Sequence, residues 1–365
     1  CDRLHETGLI GSLRWWYEVL VRGLGGYACD PTSEGHCEYD PKKDKPPEEQ
    51  LCAACYLFGC TGWARKFRLK VSDGEKLLDG QNFLIPSGRV HQTKKERAGG
   101  WFVFSESRIG EIEFEIIPLR PVDLTPIYTI LALISRHASL GPKGSNGYGI
   151  IQAQDIQPAL AWLDAFPASS PPRDRSLPDL RDFFFARFQF EEPTGSGNWW
   201  QDIHGIRQAA SGKLDDGSSP PPLRESKKEL QQMIGHGILP LAPAVRNWLR
   251  YTWKHGLNRD QEQYIFGDAR SAIGSKILVS YAYRLDSSPK WEFRIWGWLP
   301  CAGEIEKRDE FLEKLKVELS GDVLWQYVFG NTRVKPALEE WYALPCDQTD
   351  GRAYLRELLG GAHEL

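Results

Sequence analysis

The sequence predicts an α+β protein made of two tandem ferredoxin-like domains, each a βαββαβ unit, with a zinc-binding insertion in the first. Three observations carry this. The segment Gly8-Leu-Ile-Gly-Ser-Leu-Arg-Trp-Trp returns in degenerate form as Pro240-Leu-Ala-Pro-Ala-Val-Arg-Asn-Trp, an offset of 232. A second landmark, Tyr56-Leu-Phe-Gly, returns as Tyr264-Ile-Phe-Gly at an offset of only 208. The difference of 24 positions places an insert between the two landmarks of the first copy, and four of the eight cysteines sit there.

The elements follow from periodicity. Leu9, Leu13, Trp16, Leu20 and Leu24 recur at helical spacing, widened by Ile10, Tyr17 and Val21, so 9–24 is expected to be an amphipathic helix with Arg14, Glu18 and Arg22 on its opposite face. Strands are expected at 65–71 and at 111–117, where Ile112, Phe114 and Ile116 alternate with glutamates. A helix at 124–138 leads into the glycine-rich loop Gly141-Pro-Lys-Gly-Ser-Asn-Gly-Tyr-Gly and a short strand at 149–154. Pro171-Pro-Arg-Asp-Arg-Ser-Leu-Pro is a hinge. The second copy then reads as strand 183–190, a polar excursion, helix 243–255, strands 275–284 and 291–298, and helix 304–319. The expected domains are therefore 1–170, with its cysteine-rich insert at 25–60, and 171–365, with a long insertion at 193–240. The first copy shows no strand ahead of Gly8 to match Phe183–Phe190, and it opens on Cys1, which points to an upstream strand that is missing or replaced.

A chain of 365 residues with 41% hydrophobic residues is long enough for two cores. Net charge is only −4, but its distribution is uneven: residues 61–100 hold nine Lys or Arg against four Asp or Glu, whereas 301–365 hold eight against thirteen. A basic strip of this kind suits an anionic partner. No apolar run approaches the roughly 18 residues that cross a bilayer, and no signal-peptide core opens the chain, so a cytoplasmic protein without membrane contact is expected.

Cys29, Cys37, Cys52 and Cys55 combine a CxxC pair with two spaced cysteines. Four convergent thiolates satisfy tetrahedral zinc and leave no open position, which predicts a structural and not a catalytic ion. Such an ion supplies folding free energy to an insert with little apolar core. His36 and Cys60 are spare candidates, and without an export signal disulfides are disfavoured.

Basic residues on repeated elements are the candidate anion contacts. Arg14 and Arg22 map onto Arg246 and Lys254, and Glu18 onto Arg250, each set spaced i, i+4, i+8. Trp15, off the apolar stripe, is a candidate base-stacking group. Around 65–71, Arg65 shares a face with Phe67 and Leu69, and Lys66 and Arg68 the other face with Lys70. Lys94, Lys95 and Arg97 extend the strip in the loop ahead of Trp101. The glycine-rich loop admits close backbone approach to phosphate, with Lys143, Ser145, Asn146 and Tyr148 adding side chains. It follows a helix and precedes a strand, the reverse of a dinucleotide-binding turn.

Together, the helix Leu9-Ile-Gly-Ser-Leu-Arg-Trp-Trp, the Leu-Phe-Gly box after CxxC and the glycine-rich loop after the second helix resemble RAMP-superfamily proteins of CRISPR systems, whose domains are RRM-like. The resemblance is closest to the double-domain RAMP subunit near the head of the type III-B (Cmr) effector complex. It implies a non-catalytic RNA-binding subunit of a guided ribonucleoprotein in antiviral defence. Such a subunit caps the backbone near the guide 3′ end, helps to capture target RNA, and has guide RNA, target RNA and other RAMP subunits as partners. It also implies RNA contact for Arg14, Trp15, Arg65, Lys66 and the loop from Lys143 to Tyr148. Relatives often carry an arginine-rich stretch in this loop, which is absent here.

Two other readings stand beside it. A RAMP-type endoribonuclease that processes guide RNA without metal needs a general base, and His137, beside Arg136 and just before the glycine-rich loop, is the candidate. A protein-only scaffold would use the zinc for stability alone.

Overall fold

The computed structural model describes residues 3–91, 97–154, 156, 158, 160–165, 177–193, 197–268, 270–285, 288–301, 305, 307–332 and 334–360. In the first half, helix α1 (Glu6–Gly23) precedes two short helices, α2 (Pro47–Gln50) and α3 (Ala53–Phe58). Strands β1 (Phe67–Val71), β2 (Glu75–Lys76), β3 (Phe83–His91), β4 (Arg97–Val103), β5 (Arg108–Ile109) and β6 (Phe114–Pro118) follow, then helix α4 (Thr125–His137). The second half opens with β7 (Phe183–Glu191), α5 (Ile206–Ser211), α6 (Lys227–Gly235), β8 (Ile238–Leu239), α7 (Ala242–Tyr251) and α8 (Arg259–Phe266). It closes with β9 (Ile277–Val279), β10 (Ala282–Arg284), β11 (Lys290–Trp298), α9 (Arg308–Ser320), α10 (Asp322–Phe329), β12 (Ala337–Ala343) and α11 (Gly351–Leu358).

The second half forms one antiparallel sheet in the order β12-β7-β11-β10-β8, with β9 also paired to β11. Strand β7 is its spine, registered with β11 from Phe183↔Trp298 to Glu191↔Lys290. Its near-continuous apolar run follows from burial on both faces. Phe184, Ala186, Phe188 and Phe190 enter one core with α7, α9 and α10, while Phe183 and Phe185 enter another with α1, α3, α4 and α11. Phe183, Phe184, Phe185 and Phe188 are fully buried, and each such ring contributes about 1.5–3 kcal/mol by leaving water. The sheet is thus a wall between two cores, with helices of the first half on one side of it.

The first half departs from the expected unit. Among the described residues its only counterpart of the expected sheet is the antiparallel pair β1–β6, with two further pairs, β2–β5 and β3–β4, set apart from it. The strand expected at 149–154 does not form: Gly149 instead accepts a backbone hydrogen bond from Leu140, and the Ala153 amide donates to Ser135 Oγ on α4. These bonds tie the segment to α4 and the loop after it and leave no ladder to extend. The hairpin β3–β4 lends Phe83, Ile85 and Val103 to the core of the second half, and α11 lends Tyr354, Leu355 and Leu358 to the core of the first. The halves therefore exchange elements.

The polar excursion at 193–240 is folded where described: Trp199 and Trp200 are buried, and Ala98 on β4 donates its amide to Pro221. Arg294 on β11 donates to the carbonyls of Ile134 and Ala138, capping α4 from across the wall at 3.3 and 3.2 Å. Cys301 and Cys346 are joined in a disulfide, against the expectation that the chain forms none, because the fold brings the segments after β11 and β12 together. No described helix is long and apolar enough to cross a membrane.

Candidate metal centre and nucleic-acid interface

The segment after α1 brings Cys29 back against the N-terminus of α3, where Cys52 caps the helix and Cys55 lies in its first turn. The sulfurs of Cys29, Cys37, Cys52 and Cys55 all lie within 4.8 Å of one another, Cys29 standing 3.5 Å from Cys55 and 3.7 Å from Cys52. Zinc–sulfur bonds of about 2.3 Å in a tetrahedron require sulfur–sulfur edges of about 3.8 Å, so the spacing fits. Backbone amides reinforce it: Cys52 N–H donates to Cys37 Sγ at 3.3 Å and Cys55 N–H to Cys52 Sγ at 3.4 Å. Burial pushes the Cys37 thiol up, contact with Cys52 pushes Cys55 up, and contact with Cys55 draws Cys52 down. Four thiolates this close repel one another unless a cation sits among them, and a divalent ion meets that need. His36 and Cys60 are not in the cluster: His36 Nδ1 lies 2.6 Å from the Ser33 carbonyl, and Cys60 Sγ points to Thr61 O.

The cationic row of α1 faces this cluster. Arg14 donates from Nε to Glu18 at 2.8 Å, from one terminal nitrogen to the Gly59 carbonyl at 2.7 Å and from the other to Cys55 Sγ at 3.2 Å. Arg22 donates to the carbonyls of Ala28, Cys29 and Pro178 at 3.1–3.2 Å. Glu18, only 4% exposed, lies between them at 2.8 and 3.6 Å. Burial raises its carboxyl, with the two guanidiniums pulling the other way. Burial works against the Arg14 charge, but Glu18 and Cys55 outweigh it and raise its pKa. Every donor nitrogen of both arginines has a partner inside the protein.

The other expected contacts divide. Trp15 packs edge-on against Trp298, ring centres 4.6 Å apart. Arg65 donates to the Phe67 carbonyl at 2.8 Å. Lys66, expected on the polar face, is only 6% exposed, its ammonium 4.3 Å from the Tyr56 ring and 4.5 Å from that of Trp63. Arg68 is exposed beside buried Phe67 and Leu69, as the alternation predicts. Lys94 and Lys95 lie outside the described residues, and Arg97 is exposed at the start of β4. Arg250 pairs with Glu262 at 3.3 Å, and Lys254 lines a separate depression with Trp253, Glu313 and Lys314.

The glycine-rich loop is where the structure gathers expected residues from both halves. Gly147 sits at φ +89° with its carbonyl accepting from the Tyr281 amide at 2.9 Å. A Cβ there would stand 2.6 Å from the Tyr281 ring, so glycine is required. Tyr148 Oη accepts from the Phe104 amide at 3.0 Å, and the Lys143 ammonium lies 4.2 Å over the Phe104 ring. Arg246 on α7 donates to the Ser145 carbonyl at 3.0 Å and stacks 4.6 Å over Trp101 of β4. Among the described residues Arg246 has no carboxylate partner; burial, and then the charge of Arg250, push its pKa down to about 10. Ser145 is exposed and Asn146 half-buried, joined by a 3.3 Å hydrogen bond. The result is a surface of cations laid on rings: Lys143 on Phe104 and Arg246 on Trp101. Sequence reasoning missed the rings, although Trp101 stands just after the basic loop.

His137 is 3% exposed, wedged between Phe185 and Tyr342, with Nε2 donating to the Leu358 carbonyl. Burial first, and then the charges of Arg294, Arg136 and Arg187, push its pKa down to about 3. A neutral ring inside a core is no base for RNA on the surface.

Fold and site together define a mixed α/β protein with a four-cysteine cluster and a basic, ring-lined surface where its halves meet. Residues 1–152, less than half the chain, match the family model of the RAMP superfamily. That match supports a RAMP protein of CRISPR systems, a group that mostly binds RNA. No curated protein matches the chain.

Proposed function

We propose that this chain is a non-catalytic RNA-binding subunit of a type III-B CRISPR effector complex, capping its backbone near the guide 3′ end and helping to capture target RNA. In this reading residues 1–170 and 171–365 are tandem ferredoxin-like RAMP domains, and Cys29, Cys37, Cys52 and Cys55 hold a structural zinc. The observation that carries it is the loop from Lys143 to Tyr148, which joins Arg246 and Trp101 in one cationic and aromatic surface. Cations over rings suit a single strand, because phosphates seek the charge and bases stack on any exposed π-face. The nuclease alternative has lost its named base, since His137 is buried and neutral.

The test is binding of a fluorescent single-stranded RNA to the chain across a salt series. Lys143→Glu with Arg97→Glu is expected to weaken binding at least tenfold and to flatten the salt dependence by about 0.7 for each phosphate that is no longer neutralised. Unchanged affinity and slope would remove RNA from this surface.

A further inference from the structure

The row Arg14, Glu18 and Arg22 asks for an explanation other than RNA. Each of these guanidiniums directs three of its five N–H donors, one from every nitrogen, to partners within the protein. Their targets share a location. Arg14 reaches Cys55 Sγ and the Gly59 carbonyl at the end of α3; Arg22 reaches the carbonyls of Ala28 and Cys29. One arginine thus grips each wall of the cysteine cluster, and buried Glu18 holds the two in place.

The charge balance gives the row its purpose. A divalent ion on four thiolates leaves a net charge of about −2 in a site with three of its cysteines buried. A guanidinium N–H donated to a thiolate sulfur offsets part of that charge and holds the ligand in its orientation. Arg14 is placed for this, and it also fixes the turn at Gly59 that follows the CxxC segment.

The row also reaches the junction of the halves. Arg22 donates to the Pro178 carbonyl, and Arg181 donates back to the Arg22 carbonyl at 3.3 Å. Arg181 is held by Asp179 at 2.6 Å, and these residues lead directly into Phe183 at the start of β7, the strand between the cores. The same side chain that anchors Cys29 therefore anchors the entry to the central sheet.

Resting on the reading of the cluster as a metal centre, we propose that Arg14, Glu18 and Arg22 form an outer shell for a thiolate-bound divalent metal, and that Arg22 couples that metal to the inter-half junction at Pro178–Arg181. Arg14 is a positioning residue acting through Cys55, and Arg22 is the link.

The test uses the purified full chain and two readouts, zinc release to a colorimetric chelator and hydrogen–deuterium exchange of amides 177–185. Arg14→Gln is expected to weaken zinc retention about 10- to 100-fold, and Arg14→Lys to restore part of it by returning the charge without the fork. Stripping zinc from the wild type is expected to speed exchange at 180–185, and Arg22→Gln to do so with zinc still bound. If Arg14→Gln does not fold, Arg14→Lys alone carries the first comparison, with an intermediate loss expected. Wild-type zinc retention in the Arg14 variants, or exchange at 180–185 indifferent to both zinc and Arg22, would overturn the proposal and leave the metal centre standing. A wild-type chain that binds no zinc, and shows no thiolate-to-metal band when cobalt is added, would overturn both.

Discussion

His137 should make this protein acid-sensitive, and the structure sets the size of the effect. Its ring is 3% exposed, its Nδ1 is buried without a hydrogen-bond partner among the described residues, and the charges of Arg294, Arg136 and Arg187 act on it. In the unfolded chain a histidine titrates near 6.5, whereas here the value is pushed down to about 3. Between those two values the unfolded state binds a proton that the folded state refuses, so stability falls as pH falls through that window and is unaffected by His137 above it. Each unit is worth about 1.4 kcal/mol, so moving from pH 7 to pH 5 crosses about 1.5 effective units and costs about 2 kcal/mol. Glutamine at 137 can still donate to the Leu358 carbonyl but does not titrate. Urea unfolding of wild type and His137→Gln at pH 7, 6 and 5 is expected to show the wild type losing about 2 kcal/mol more than the variant over that range. Any proton uptake by the thiolates is common to both proteins and cancels in the difference. Parallel pH dependences would show that His137 is solvated or paired in solution, and would return it to candidacy as a surface base.

Two further outcomes follow from the site geometry. Cys52→Ser removes a sulfur that is both a cluster member and the cap of α3, and is expected to abolish zinc binding and lower solubility; one zinc per chain by elemental analysis of the variant would refute the four-thiolate site. Gly147→Ala forces a side chain into positive φ and against Tyr281, with an expected loss of about 1–3 kcal/mol in thermal or urea unfolding and weaker RNA binding; unaltered stability would mean that the loop is not fixed as described.

Element type was legible in the sequence wherever one period dominated. The stripe from Leu9 to Leu24 gave α1, and the unbroken phenylalanine run gave β7. That run carried more information than its assignment as a strand. Alternation marks one buried face, whereas Phe183–Phe185 and Phe188 mark two, and hence a sheet covered on both sides. The cysteine quartet was legible from spacing alone, because four thiols in a short polar insert have few other uses. The exchange of β3–β4 and α11 between cores was not, since local periodicity says nothing about which of two apolar surfaces an amphipathic element meets.

The basic residues show the same limit more sharply. A spacing of i, i+4, i+8 puts Arg14 and Arg22 on one helix face, but the sequence does not say whether water, RNA or another loop lies opposite. In the fold that face meets the returning cysteine segment, and the row becomes a brace. The equivalent face of α7 meets no such cysteine segment among the described residues. Arg246 there has no carboxylate partner among the described residues and rests on Trp101 beside the glycine-rich loop. The two helices thus carry similar charges to different ends. A paired charge-reversal scan follows: Arg14→Glu is expected to release metal, whereas Arg246→Glu is expected to keep the metal and lose RNA. Loss of RNA from metal-loaded Arg14→Glu, with Arg246→Glu binding normally, would invert this assignment.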